Sequence, residues 1–202
     1  MKEHNETGTV PAQCTGQEIV AQTTRSFESV EAAITMFELA SHRLLDVNNW
    51  NKLTQQPLVD FQVTDAQGNP LSQSVEEGNC LSIDIPGPGT ATGEGRDWVS
   101  VELVKEYVAP NVDSIGMMVR PMANPTNDDT AVAHFYSPES TSSFTITREG
   151  TRITAAIYDK NISLNKTSEN VTDELRNRLV GMVGMAFYSK WEWQKLTDGL
   201  LS

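Results

Sequence analysis

Hydrophobic and polar residues alternate along this chain in two different rhythms. From residue 30 to residue 46 the apolar positions return every three to four residues, the spacing of one buried helical face. Ser29 stands directly before this segment and is a suitable N-cap. The pattern therefore predicts an amphipathic helix whose buried stripe consists of Ala33, Phe37, Ala40 and Leu44.

After this helix, apolar residues alternate singly with polar ones, which is the pattern of antiparallel strands with one buried face. Gly150 lies between two such segments and can supply the positive φ of a tight hairpin turn. The predicted strands, with one before the helix, are 17–24, 59–64, 81–85, 99–105, 114–120, 131–136, 143–148 and 152–158.

The last predicted element is a long helix from about Thr172 to Thr197, and it is apolar on two sides. One stripe contains Leu175, Leu179, Met182, Ala186, Trp193 and Leu196, and the second contains Val180, Gly184, Phe187 and Trp191. A helix of this kind must be covered on both sides. The sheet covers one side, and the first helix, a bound ligand or another subunit covers the other.

These elements predict an α+β fold: a curved antiparallel sheet of about 7 to 8 strands packed on the long C-terminal helix, with one N-terminal helix. Residues 1–16 mix Gly, Pro, Thr and charge without periodicity and are expected to form a disordered lead-in. Residues 17–202 are expected to form a single domain. Because no window approaches a membrane-spanning length and the first residues are polar, we expect a soluble, cytoplasmic protein.

The charge balance excludes one class of partner. Lys and Arg total 15 against 27 Asp and Glu, so the formal net charge is −12. A surface of this sign repels the phosphate backbone of nucleic acids. We therefore expect no nucleic-acid partner. Because no window of the chain is apolar over a membrane-spanning length, we also expect no membrane span.

The segment from 86 to 97 is rich in glycine and resembles a phosphate-binding loop only loosely. Such a loop must lead into a helix whose N-terminus holds the phosphate, whereas a strand follows here. Pro86 and Pro88 also remove backbone donors. The segment is interpreted as a strand-connecting loop or a lid, and no cofactor is predicted. No metal is predicted either, since the oxygen-rich turn 124–129 lacks the spacing of a calcium loop.

Two histidines, His42 and His134, are candidate functional groups. His42 lies on the polar helix face between Glu38 and Asp46, which indicates a solvated charge pair. His134 shares a strand face with Tyr136 and is either a half-buried structural residue or a group in a pocket. No nucleophile motif accompanies either of them, so catalytic residues remain unassigned.

The stretch LLDVNNWNKL, residues 44–53, leaves a helix and reaches a tryptophan before a run of strands. It resembles the corresponding stretch of START and polyketide-cyclase-like helix-grip proteins, and the order of elements agrees over most of residues 17–200. The resemblance implies a curved sheet around the last helix, with an apolar cavity between them for a lipid-like or polycyclic ligand. The chain departs from that pattern in an extra strand, the glycine-rich insertion, and Gly181 and Gly184 inside the last helix.

The leading hypothesis is that the protein binds a small apolar or amphipathic molecule between the sheet and the C-terminal helix. The residues expected to form the pocket are Trp98, Arg120, His134, Tyr136, Met182, Met185 and Phe187. One alternative is an enzyme of cyclase, hydratase or isomerase type with His134 or a buried Asp as general base. The other is a protein interaction module, including a homodimer, that uses the second stripe of the last helix.

Overall fold

The computed structural model of the protein describes residues 3–54, 59–84, 93–165 and 190–202. Within these residues the chain forms one sheet of seven antiparallel strands in the order β1-β7-β6-β5-β4-β3-β2. The strands are β1 (Gln17–Ser26), β2 (Asp60–Thr64), β3 (Cys80–Asp84), β4 (Asp97–Ala109), β5 (Val112–Pro121), β6 (Thr141–Glu149) and β7 (Arg152–Ile162).

In the described residues, three helices lie beside this sheet. Helix α1 (Val30–Leu45) begins where Ser29 accepts a hydrogen bond from the backbone N–H of Ala32, so the predicted N-cap is confirmed. A 3-10 turn (Val47–Asn49) leads into the short helix α2 (Trp50–Leu53). Helix α3 comprises residues 190–200. No helix in these described stretches has the length and hydrophobicity needed to cross a bilayer.

The predicted fold class is confirmed, with one strand fewer than the sequence pattern contains. Residues 131–136 do not form a ladder strand and make only isolated bridges, at Val132 to Ala123 and at Tyr136 to Leu164. The predicted strand is wrong. Val132 bridges Ala123 just after the end of β5, and β5 is already paired on both sides, by β4 and β6, so it offers no open edge to this segment. The segment forms a loop whose Ala133 carbonyl accepts a hydrogen bond from the backbone N–H of Trp98.

The N-terminal segment differs from the predicted disordered lead-in. From residue 3 onward it lies on the outer face of the sheet, where Thr9 and Val10 are buried. The Thr9 carbonyl accepts a hydrogen bond of 2.8 Å from the Ser143 hydroxyl, and the Tyr158 hydroxyl accepts one of 2.8 Å from the backbone N–H of His4. Gly116 of β5 and Ser143 of β6 leave room for this segment on the outer face of the sheet. The segment has no hydrophobic periodicity of its own, so its position on the sheet could not be predicted from its sequence.

The inner face of the sheet carries the main hydrophobic core. Strand alternation points Phe144 and Ile146 of β6 inward, together with Ile153 and Ile157 of β7, and all four are buried. Buried residues of α1, α2 and α3 pack against them. The space between this face and the helices is therefore where a site can form.

The C-terminal end of α3 is fixed to α1 and α2. The Arg43 guanidinium donates hydrogen bonds to the carbonyls of Leu200 and Ser202, at 3.1 and 2.7 Å, and satisfies acceptors that a helix end leaves open. Gly199 lies so close to α2 that a Cβ there would collide with the carbonyl oxygen of Leu53. This contact holds the end of α3 against α2.

Replacing Gly199 with alanine is expected to destabilise the protein by about 1–3 kcal/mol, because the added methyl group forces α3 away from Leu53. Urea unfolding of Gly199→Ala and the unchanged chain measures the difference. Without the close approach, alanine in a helix stabilises relative to glycine by roughly 0.5–1 kcal/mol. A stabilised variant would therefore contradict this position of α3.

Candidate functional site

A cavity of about 100 Å³ lies between the inner face of the sheet and helices α2 and α3. Its wall is mostly apolar and aromatic. The polar lining residues are Asn51, Thr54, Asp97, His134, Tyr136, Ser142, Asp159 and Glu192. The apolar and aromatic lining residues are Trp50, Val59, Phe61, Leu81, Ile83, Val99, Val119, Phe135, Phe144, Trp193 and Leu196. The site is thus a concave apolar surface with few polar groups, the usual form of a small-molecule site.

Three aromatic side chains from separate elements meet at the helical side of the cavity. The Trp50 and Phe144 ring centroids are 5.0 Å apart, and those of Phe144 and Trp193 are 5.4 Å apart with the rings nearly perpendicular. The Trp50 indole N–H donates to the backbone carbonyls of Arg43 and Leu44, at 3.1 and 3.2 Å. Trp50 is therefore held in one orientation, and its ring is a fixed part of the wall.

Asp159 is a polar group on the inner face of β7. Its side chain is buried, and Oδ2 accepts a hydrogen bond of 2.8 Å from the Trp193 indole N–H. Burial raises the pKa of Asp159 to about 6, while the nearby Ser142 hydroxyl and Trp193 indole N–H lower it by less. The cavity thus contains a carboxyl group that can change charge near neutral pH.

A second polar group is His134, in the loop 131–136, which faces Asp97 at the start of β4. His134 Nδ1 accepts a hydrogen bond of 2.9 Å from the backbone N–H of Tyr136, so the proton of the neutral ring is on Nε2. That Nε2 lies 3.9 Å from Asp97 Oδ2. Burial lowers the pKa of His134, and the charge of Asp97 opposes this by less. His134 is therefore a neutral donor facing a carboxylate at pH 7.

The residues predicted for the pocket separate into three groups. His134 and Tyr136 both line the cavity, with ring centroids 5.7 Å apart. Trp98 and Arg120 lie on the opposite face of the sheet, where Trp98 packs with Cys80 and Ala133 and the Arg120 Nε bonds to a carboxylate oxygen of Glu102 at 2.6 Å. The third group, Met182, Met185 and Phe187, lies outside the described residues.

The displacement of Trp98 and Arg120 has a simple cause. Val99 and Val119 are their neighbours in β4 and β5, pair with Pro121 and Val101 respectively, and line the cavity. Because side chains alternate across a sheet, Trp98 and Arg120 must face the other way. The apolar alternation predicted in β4 already contained this information.

Several lining residues escaped the sequence analysis, and Asp159 is the clearest. It follows Ala155 and Ile157 at a spacing of two and so continues the buried face of β7. A carboxyl group in a buried apolar alternation is a signal that can be read from sequence. Its contact with Trp193 of α3, by contrast, depends on the tertiary arrangement.

The described part of α3 separates the two predicted stripes. Leu196 of the first stripe is buried, and Trp193 lines the cavity. Trp191 of the second stripe is 47% exposed, with the Lys195 Nζ 3.1 Å from the centroid of its ring. The second stripe's other members, Val180, Gly184 and Phe187, lie outside the described residues.

Comparison with solved structures finds similar chains of about the same length. A Mycobacterium smegmatis protein is 16% identical with a TM-score of 0.40, and the match covers 91% of each chain. A START superfamily protein of the same organism is 12% identical with a TM-score of 0.34, over 88% of this chain and 95% of that one. A protein of Arthrobacter aurescens is 11% identical with a TM-score of 0.39, over 91% and 86%.

Comparisons of sequence give no match: no protein-family model and no curated protein matches the chain.

Proposed function

We propose that the protein binds a small apolar or amphipathic molecule in the cavity between the sheet and the C-terminal helix. The observation that carries this proposal is the cavity itself, whose wall is formed by aromatic and branched aliphatic side chains with His134, Asp97 and Asp159 among its polar groups. Burying an apolar molecule there is favourable at about 25 cal/mol for each Å² removed from water. The polar groups fix the orientation of the bound molecule.

The volume narrows the class of ligand. Close-packed protein interiors leave few voids larger than a water molecule, so a cavity of about 100 Å³ is an unusual gap in a core. A dry cavity of comparable size accepts a single aromatic ring. We therefore infer a ligand built around one substituted ring rather than a long lipid chain.

Benzyl alcohol, a single ring with one neutral polar substituent, is the probe for this proposal. We expect saturable binding of one molecule per chain by isothermal titration calorimetry, because the ring fits the apolar wall and the hydroxyl can meet a polar group. Val99→Phe, which adds volume inside the cavity, is expected to weaken this binding at least tenfold.

Val108→Phe is the matched control, since Val108 lies on the same strand and is 78% exposed. It is expected to bind benzyl alcohol like the unchanged chain. Equal binding by a folded Val99→Phe variant, or no saturable binding by the unchanged chain, would refute the cavity as the site. Circular dichroism checks that both variants fold.

A second candidate function is acid–base catalysis on a bound molecule. The observation that favours it is that Asp159, whose pKa burial raises to about 6, and His134 line the same cavity. A general base works best when its pKa is near the working pH. This candidate requires Asp159 to titrate near neutral pH in the folded protein.

A further inference from the structure

We propose that the cavity selects a cationic amine carried on an aromatic or apolar ring, with the carboxylate of Asp159 as the counter-charge. This inference rests on the proposed function and adds the chemical class of the ligand. It follows from an incompletely paired buried carboxyl group, from the sign of the charges in the wall, and from the aromatic rings around them.

The first observation concerns the two oxygens of Asp159. The residue is only 2% exposed, and Oδ2 receives the Trp193 indole N–H. Among the described residues, Oδ1 has no hydrogen-bond partner of accepted geometry. A buried acceptor without a donor is costly, and a bound molecule that supplies an N–H removes this cost. Asp159 lines the cavity, so such a donor can reach it from the ligand.

The second observation is the sign of the charges in the wall. The ionisable lining residues described are the three carboxyl groups of Asp97, Asp159 and Glu192 together with His134 and Tyr136, and no Lys or Arg is among them. Burial lowers the pKa of His134, so this ring adds no positive charge at neutral pH. Glu192 is balanced by Lys195 at 3.4 Å, whereas the described groups that act on Asp159 are the neutral Trp193 indole and the neutral Ser142 hydroxyl. The field in the cavity therefore favours a cation and disfavours an anion.

The third observation is the aromatic wall. Trp193 donates to Asp159 and also packs on Phe144, which in turn packs on Trp50. Aromatic faces attract cations, and the attraction is stronger where water is excluded. An ammonium group bound at Asp159 thus lies beside rings that stabilise it, while its apolar part fills the rest of the cavity.

Three single-ring compounds with a cationic, a neutral and an anionic substituent test this inference: benzylamine, benzyl alcohol and benzoate. Calorimetry at pH 7.5 is expected to give a dissociation constant at least tenfold lower for benzylamine than for benzyl alcohol, and no detectable binding of benzoate. Asp159→Asn is expected to remove the preference for benzylamine while binding of benzyl alcohol remains. Asp84→Asn, an exposed carboxylate at the end of β3, is the matched control and keeps the preference.

Each outcome separates this inference from the proposed function. If benzyl alcohol binds and benzylamine binds no better, the preference for amines is wrong and the binding function stands. A preference that persists in Asp159→Asn assigns the counter-charge to another group and overturns the role of Asp159. If none of the three compounds binds, the proposed function itself fails.

Discussion

Replacing Trp50 with alanine is expected to lower the free energy of unfolding by about 3–5 kcal/mol, the usual cost of truncating a large buried aromatic residue. Trp50 is 1% exposed, packs on Phe61 and Phe144, and donates its indole N–H to the backbone at the end of α1. Its removal deletes apolar contacts and leaves a void next to an existing cavity. Urea unfolding followed by circular dichroism measures the loss.

The control for this prediction is Trp191→Ala, in which a half-exposed tryptophan of α3 is truncated. Its loss of stability is expected to stay below roughly 1 kcal/mol, because the Trp191 side chain buries little apolar surface in the folded protein. Similar losses in the two variants would contradict the assignment of Trp50 to the core wall.

The second large effect is a dependence of stability on pH that comes from Asp159. In the folded protein burial raises the pKa of this group to about 6, from 3.8 in the unfolded chain. The folded state therefore holds this proton to a higher pH than the unfolded chain does. The contribution of Asp159 to stability is fully present below pH 3.8 and is lost as the pH rises through 6. The shift corresponds to about 3 kcal/mol.

Asp159→Asn isolates this contribution because asparagine does not titrate and its side-chain oxygen can still accept the Trp193 N–H. We expect the stability of the variant relative to the unchanged chain to rise by about 2 kcal/mol between pH 4 and pH 7.5 in the absence of ligand. Asp84→Asn, at an exposed position, is expected to give no such trend. A constant difference for Asp159→Asn would mean that the carboxyl group titrates as it does in water, and it would also remove the main support for acid–base catalysis.

Local patterns in the sequence predict most of the scaffold. The alternation of buried and exposed residues identifies the ladder strands, and Ser29 identifies the start of α1. These features depend on contacts within a few residues, which sequence spacing reports directly. The segment 131–136 has the same alternation yet forms no strand, because whether a strand finds an open edge depends on the rest of the sheet.

The candidate site is less readable from sequence because its parts come from distant elements. His134 and Tyr136 were predicted from their chemistry, and they do line the cavity. Asp159 can be recognised as a site residue only when its position in the alternation of β7 is known to face the buried side of the sheet. Its partner Trp193 belongs to a helix that follows much later in the chain. The N-terminal segment was missed for the same reason, since the outer face that receives Thr9 is assembled from β5, β6 and β7.

Contacts between a bound ring and the protein test the central claim most directly. In an isotope-edited NMR experiment with benzyl alcohol, the proposed site predicts nuclear Overhauser effects from the ring protons to methyl groups of Leu81, Val99 and Val119, all of which line the cavity. Effects only to exposed apolar side chains such as Leu39 and Val108 would place the ring on the surface and contradict a binding site between the sheet and the C-terminal helix.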